Sequence, residues 1–329
     1  MGRFFYISVR HGARCAAAGC ALLLVCAGSP LAAAFPDKPV HLVVPYPAGG
    51  SSDVLARVLS ARLAELWGQP VIVENMPGGG SVFGTHTVSK AAPDAHTLLA
   101  GNATLAINEA LSQKLPYHAL RDFAPISLTA RQHTALIVQA SSPFTTVRQF
   151  ADAARAKPNL TYGSAGHGAV GHLAGELFKV MTAANITHVA YNGTRQAINE
   201  LIANHVSCVM IALPAAMPYV KSGRLRVLAL ADARRAPMLP NVPTLGESVP
   251  GYEVESWYGV LAPYGVSVPL VRRMNADLNT VLNKPDFREQ LLSLGYEATA
   301  STPGDFQSRL ASDIERYSRI TVAVGIVAR

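Results

Sequence analysis

Cysteine is scarce in the part of this chain that could use it. Of four cysteines, Cys15, Cys20 and Cys26 sit in an N-terminal stretch that reads as a removable leader, and Cys208 alone lies beyond it. One thiol allows neither an intrachain disulfide nor a cysteine metal cluster. Runs of lysine or arginine are also missing. The formal net charge of +7 falls to +4 once Arg3, Arg10 and Arg14 leave with the leader. That mild basicity argues against nucleic acid and suits anionic small molecules. The patterns GxxxxGKS/T, HExxH and GxSxG do not occur, which removes phosphate-loop enzymes, common zinc proteases and the usual hydrolase elbow. Internal repeats, low-complexity tracts and coiled-coil heptads are absent too.

The residues that are present start with that leader. Met1–Arg14 is basic with no acid, Cys15–Gly28 is apolar, and Ala32-Ala33-Ala34 comes after Ser29-Pro30. This is the secretory pattern, with cleavage expected before Phe35 and residues 1–34 lost on export to the periplasm. A membrane anchor would need roughly 20 apolar residues, and Pro30 closes the run sooner. Acylation at Cys20 or Cys26 fits poorly: Cys20 precedes the end of the apolar run, and Cys26 comes after Val25 where a small residue would be expected.

The stretch His41–Asp53, HLVVPYPAGGSSD, organises the mature chain. An apolar run, two prolines, two glycines and two serines lead into helical spacing at Val54–Leu66, which predicts a buried strand, a stiff loop and a helix N-terminus. Gly49 and Gly50 admit a close guest, Ser51 or Ser52 can cap the helix, and the helix start is an anion site. Strand-like and helix-like runs then alternate: strands at Val71–Glu74 and Thr97–Gly101, helices near Gly84–Lys90 and from Leu105. A second series starts near Ala135–Gln139 and runs through Leu160–Gly163, Gly171–Met181, Ile186–Tyr191, Thr194–Ala203, Val206–Ile211 and Arg226–Ala231. Such alternation predicts an α/β fold of mainly parallel sheets flanked by helices. Asp122–Arg131 reads as a linker, and proline-rich Pro237–Pro250 precedes a strand-like return at Tyr252–Leu261 and the closing helices Val268–Asn283, Asp286–Leu294 and Pro303–Val324. The expectation is two lobes, residues 35–133 with 257–329 and residues 134–256, joined by two crossing segments around a hinged cleft.

Four loops fall at predicted strand ends, where open α/β sheets bind ligands: Pro45–Asp53, Gly101–Thr104, Gly163–His172 and Tyr191–Thr194. The candidate ligand-binding residues are Tyr46, Ala48, Gly49, Gly50, Ser51, Asp53, Asn102, Thr104, Ser164, Ala165, Gly166, His167, Tyr191 and Asn192, with Ile211 and Trp257 as further lining. Only Arg195, just past the fourth loop, brings a cation, so an anion would be held by amides, hydroxyls and helix termini. Each hydrogen bond to a charged group contributes roughly 1.5–3 kcal/mol, and micromolar affinity needs about 8 kcal/mol. Gly166-x-Gly168-x-x-Gly171 formally matches the dinucleotide fingerprint. However, Tyr191 and Asn192 stand where its ribose-binding acid belongs, so no nucleotide cofactor is expected. His167 and His172, five apart, do not share one helix face, and no metal site is expected of them; His167 is free to donate to a ligand. Trp257 and Tyr258 suit either cleft lining or packing.

Several stretches together resemble one family. FPDKPVHLVVPYPAGGSSDVLARVLSARLAELWGQPVIVEN, PGGGSVFGT, APDAHTLL, KLPYHALRDFAPIS, HLAGELFK, VAYNGTRQAINELI, VKSGRLRVLAL, LPNVPTLGE and SWYGVLAP are similar to the substrate-binding receptors of tripartite tricarboxylate transporters, the TctC or Bug family. The resemblance runs from about Phe35 to Ile326. It implies a two-lobe periplasmic binding protein, not an enzyme, that captures a small carboxylate and delivers it to a permease with a large and a small membrane subunit. Pro45–Asp53 then corresponds to the family's carboxylate loop and Gly163–His172 to its second-lobe loop.

Departures bear on the ligand. Where the family often reads MFDNLPS this chain reads MIALPA over Met210–Ala215, so an acid and an amide become Ile211 and Ala212. Ala169, Val170 and Gly171 stand where serine or threonine is frequent, Met76 replaces an arginine and His96 a tyrosine. An ammonium buried beside Ile211 would lack a partner, so the expected ligand is a monocarboxylate with an apolar or aromatic body, bound by a monomer. The alternatives are a sensor receptor feeding a membrane kinase and an organic-acid hydrolase or lyase with His167 as base.

Overall fold

Apolar strands and amphipathic helices build two sheets. The computed structural model describes residues 35–111, 114–156, 159–323 and 325, and the leader read in residues 1–34 lies outside the described residues. In chain order the first lobe begins with β1 (Val40–Val44), α1 (Ser51–Trp67), β2 (Val71–Asn75), α2 (Val82–Ser89), β3 (Thr97–Asn102), α3 (Thr104–Leu111) and β4 (Phe123–Gln132). The chain then makes β5 (Thr134–Gln139), α4 (Val147–Ala156), β6 (Leu160–Ser164), α5 (Val170–Thr182), β7 (Ile186–Ala190) and α6 (Thr194–Ile202). It continues with β8 (Cys208–Ala212), α7 (Leu213–Lys221), β9 (Leu225–Leu230) and α8 (Leu245–Ser248). It returns through β10 (Ser256–Pro263), α9 (Val268–Leu282), α10 (Pro285–Ser293), β11 (Tyr296–Ala298) and α11 (Pro303–Ala323). No described helix is long and apolar enough to cross a membrane.

One sheet has the order β11-β4-β10-β3-β1-β2 and the other β7-β6-β8-β5-β9. The pairs β1–β2, β1–β3, β6–β7 and β6–β8 are parallel, whereas β10 and β5 run antiparallel to both of their neighbours. Both sheets are therefore mixed, and the crossings are the reason. β5 and β10 begin at the hinge, where the parallel strands end, so they must run the other way.

Asp122–Arg131, read as a linker, is instead most of β4, ten residues paired with β10 and β11. Pro125, which breaks the strand signal, sits opposite Leu261 beside a register shift, the kind of bulge that tolerates proline inside a sheet. All eight residues of β10 are buried. The first crossing is a single residue, His133, between β4 and β5. Backbone bonds Leu213 N–H to His133 O at 2.8 Å, Ala231 N–H to Thr134 O at 2.7 Å and Val254 N–H to Ala231 O at 2.8 Å bind it to α7 and to the return segment.

Two local devices set the walls of the cleft. Gly175 in α5 lets the helix lie on Tyr162, since a Cβ there would come within 2.1 Å of the ring. At the start of α1, Gly50 rather than Ser51 or Ser52 is the N-cap, and no side chain caps the helix. Asp53 turns back instead. Its carboxylate accepts Gly49 N–H at 2.8 Å, Arg57 Nε at 3.0 Å and Asn75 Nδ2 at 2.9 Å, and Asn75 Nδ2 also donates to Tyr46 O at 3.1 Å. Burial works to raise the Asp53 pKa, but these donors outweigh it and hold the carboxyl below its ordinary value.

Gly175→Ala is expected to destabilise by about 1–2 kcal/mol, because overpacking costs about 1–3 kcal/mol against a helix-propensity gain of at most about 1 kcal/mol. Urea denaturation checks it, and an unchanged or raised midpoint would contradict the contact. Asp53→Asn is expected to lose about 1–3 kcal/mol at pH 7. A depressed folded pKa stabilises above the ordinary value of about 4 and loses that effect as pH falls through the folded value, so the variant's deficit should shrink on acidification. A deficit that stays constant from pH 7 down to pH 3 would refute the role.

Candidate functional site

Between the lobes lies a small cavity of about 60 Å³. One water takes about 10–15 Å³ by this measure, so the space matches a short organic acid rather than a nucleotide. Its wall is made of helix starts. Gly50, Ser51 and Ser52 open α1, Ala169, Val170 and Gly171 open α5, Gly193, Thr194 and Arg195 open α6, and Ala212 precedes α7; all of them line the cavity.

The N-caps of these four helices are Gly50, Ala169, Gly193 and Ala212, and none has a side-chain capping bond. The first N–H groups of a helix have no intrahelical partner and carry the positive end of its dipole. Bare caps leave those donors for a guest at α1, α5 and α6, whereas at α7 the Leu213 N–H is held by His133 O and Pro214 has no N–H to give. Gly171 brings α5 against β8 so closely that a Cβ would fall 1.9 Å from Met210 O.

Side chains complete the wall. Asn102 Oδ1 accepts Thr104 N–H at 2.9 Å while its Nδ2 donates to Ser52 Oγ at 3.3 Å. Tyr258 OH donates to Gln132 Oε1 at 2.5 Å, and Gln132 Nε2 donates to Ser256 Oγ at 3.0 Å. Ser51 Oγ and Thr134 Oγ1 are buried with no hydrogen-bond partner, and both residues line the cavity. Burial raises the Tyr46 pKa, which keeps its hydroxyl neutral. Among the described residues no carboxylate lines the cavity, and Arg195 is its cation. A methyl group on Gly49 would meet the Arg195 guanidinium at 2.9 Å, so this second-lobe arginine lies directly on the Pro45–Asp53 loop of the first lobe. The electrostatics therefore favour an anion and disfavour an ammonium.

Of the residues predicted from sequence, Tyr46, Ala48, Gly50, Ser51, Asn102, Thr104, Ala165, Asn192 and Ile211 meet at this cavity. Gly166, His167 and Tyr191 line an adjoining open groove of about 560 Å³, with Gly78–Gly80 on its other side. Ser164 is buried, its hydroxyl 2.7 Å from His188 Nε2 and donating to Gly166 O at 3.1 Å. Gly49 backs onto Arg195, and Asp53 faces Arg57 and Asn75 instead of the cavity. Trp257 is a correction. It is 2 % exposed, donates Nε1–H to Asp313 at 2.7 Å and meets Phe306 edge-on. Strand alternation is the cause: Tyr258 points into the cavity, so Trp257 points away from it.

Sequence reasoning left out Gln132 and Thr134, which flank the crossing at His133, and Thr194, Ala169 and Ala212 at helix starts. Alanine N-caps give no capping signature, and only Pro214 in the first turn of α7 marks one of these starts locally. His172 sits in the first turn of α5, where its Nδ1 accepts Gly168 N–H at 3.3 Å. Burial keeps His172 and His188 neutral, with pKa values of about 4 and about 3.

Comparison with known proteins agrees with this architecture. The chain is 35% identical over 292 residues to the UPF0065 protein in the tcbD-tcbE intergenic region of Pseudomonas sp. strain P51, covering 88% of this chain and 87% of that one. Among solved structures, the R. palustris protein Rpa4515 with adipate superposes with a TM-score of 0.87 at 34% identity, covering 90% of this chain and all of that one. MatC of Rhodopseudomonas palustris with bound malate gives a TM-score of 0.82 at 30% identity, covering 87% and 99%. The family model described as tripartite tricarboxylate transporter family receptor matches residues 55–326. With its two lobes, its cavity between them and these relatives, the chain belongs to the TctC family of tripartite tricarboxylate transporter receptors, solute-binding proteins rather than enzymes.

Proposed function

We propose that this receptor, exported to the periplasm and freed of residues 1–34, captures an organic carboxylate without an amino group and delivers it to a permease with a large and a small membrane subunit. The observation that carries the reading is the meeting of three uncapped helix starts, those of α1, α5 and α6, at one cavity that no acid among the described residues lines. A carboxylate accepts from those N–H groups and from Ser51, Thr104 and Asn192, while Ala48, Ala165, Val170, Met210 and Ile211 accommodate an apolar body. The orphaned hydroxyls of Ser51 and Thr134 gain partners in the complex. A ligand shifts the lobes toward closure only by its differential affinity for the closed form, which contacts with both walls supply.

A second reading concerns the number of carboxylates. Helix starts occupy both walls, α1 on the first lobe and α5 and α6 on the second, and Arg195 adds a charge to the latter. This favours a dicarboxylate with a short apolar spacer, and two structural relatives hold adipate and malate.

Thermal unfolding against mono- and dicarboxylates, their α-amino counterparts and nucleotides tests both readings. A ligand at 100 times its dissociation constant stabilises by about 2.7 kcal/mol, so non-amino acids should raise the midpoint by a few degrees and aspartate or glutamate should not. Equal stabilisation by aspartate would defeat the proposal; a preference for adipate or malate over monoacids selects the second reading. Thr134→Val is expected to stabilise the free protein by about 1–3 kcal/mol, the cost of a buried unpaired hydroxyl, while weakening capture of the same acid. A variant that binds as before would remove Thr134 from the site. Uptake of that acid by cells should require the receptor and both membrane subunits together.

A further inference from the structure

His167, His172 and His188 come from three segments, the loop after β6, the first turn of α5 and the middle of β7. β6 and β7 pair with Tyr162 opposite His188, which brings the strand's histidine under the loop that carries the other two. One ring nitrogen from each residue can be chosen so that all lie within 4.8 Å of one another. A separation of five residues keeps two side chains apart only along a helix. His167 precedes the start of α5 at Val170, so the helical spacing that counted against a shared ion does not apply to this pair.

Two of the three ring pairs are spaced as ligands around a point. The centroids of His167 and His172 are 5.3 Å apart at 83°, and those of His167 and His188 are 5.1 Å apart at 85°. The third pair, His172 and His188, stands at 4.2 Å and 26°. Imidazoles sharing an ion at about 2.0–2.1 Å have centroids about 5.2 Å apart at a tetrahedral angle and about 4.5 Å apart at a right angle. Two pairs match the first value, whereas the stacked His172 and His188 must turn out of their 26° stack so that both ring planes contain the ion, and such rotations, moving the ring nitrogens by on the order of an ångström, close the set.

Lone pairs are available as well. Ser164 Oγ donates to Gly166 O and accepts Gly166 N–H at 3.2 Å. Its remaining lone pair therefore accepts a proton carried by His188 Nε2, which leaves Nδ1 of His188 unprotonated. A polar partner on the far nitrogen is the usual support of a metal-binding histidine. His172 Nδ1 has only the long bond from Gly168 N–H at 3.3 Å, a weak competitor for an ion. His167 is exposed and lines the open groove, which gives an entry path and leaves further coordination positions to water.

We propose that His167, His172 and His188 form a site for one divalent transition-metal ion of the kind imidazole prefers, nickel, zinc or copper. The ion ties β7 to the Gly163–His172 loop and the start of α5, behind the wall that Ala165, Ala169 and Val170 present to the carboxylate cavity. The site is independent of which acid the cavity takes.

The test is calorimetric titration of the full chain, expressed with its own leader and without a histidine tag, with Ni²⁺ alone. One ion per chain, saturable and removed by a chelator, is expected. His167→Ala and His188→Gln should each weaken it by about tenfold or more, and His205→Ala, an exposed histidine elsewhere, should not. The electron paramagnetic resonance spectrum of the Cu²⁺-loaded protein should show three nitrogen ligands, with one fewer in His167→Ala. Absence of saturable binding, or binding unchanged in His167→Ala, would overturn the site. Should His188→Gln fail to fold by circular dichroism, the exposed His167→Ala variant decides alone.

Discussion

Backbone N–H groups at the starts of α1, α5 and α6 converge on one small cavity without a single side-chain cap among them. A serine, threonine or aspartate at an N-cap is worth about 1 kcal/mol to its own helix. Ala169 leaves that stabilisation unrealised, Gly50 and Gly193 forgo about a few tenths of a kcal/mol, and the donors stay directed at the space between the lobes. Much of the rest of the fold serves to hold these three helix starts together. Asp53 locks the loop before α1, Gly175 seats α5 on Tyr162, and Gly171 brings that helix against Met210.

The hinge obeys the same logic of buried polar groups with defined partners. His133, the residue between the two lobes' strands, has Nδ1 3.2 Å from Asp232 and Nε2 3.0 Å from Glu297. One partner comes just after β9 and the other lies on β11, so a single imidazole touches both crossing segments and the first-lobe sheet edge. Burial works to lower the His133 pKa, and the two carboxylates outweigh it and raise it. Gln132 and Thr134, its neighbours in sequence, face the cavity. The joint and the site are therefore built from consecutive residues of the chain, Gln132, His133 and Thr134.

Much of the architecture was legible in the sequence because strand and helix periods differ and the chain alternates between them. The segments of β1, β3, β6, α1, α5 and α9 could be placed from their apolar spacing alone. β4 could not, since Pro125, Ser127 and Arg131 break the pattern that its burial between β10 and β11 enforces. Trp257 and Tyr258 are adjacent aromatics that sequence treats alike, and the pleat of β10 sends one to Asp313 and the other to the cavity.

The sequence by itself determined the α/β class, the two series of elements and the family, because these depend on local periodicity, turn residues and extended likeness. The tertiary structure alone decided which loop residues face the guest, that Arg195 of one lobe lies on Gly49 of the other, and that His188 joins His167 and His172. Those are contacts between segments far apart in the chain. They are fixed by strand register and helix packing, for which no local pattern of residues carries a signal.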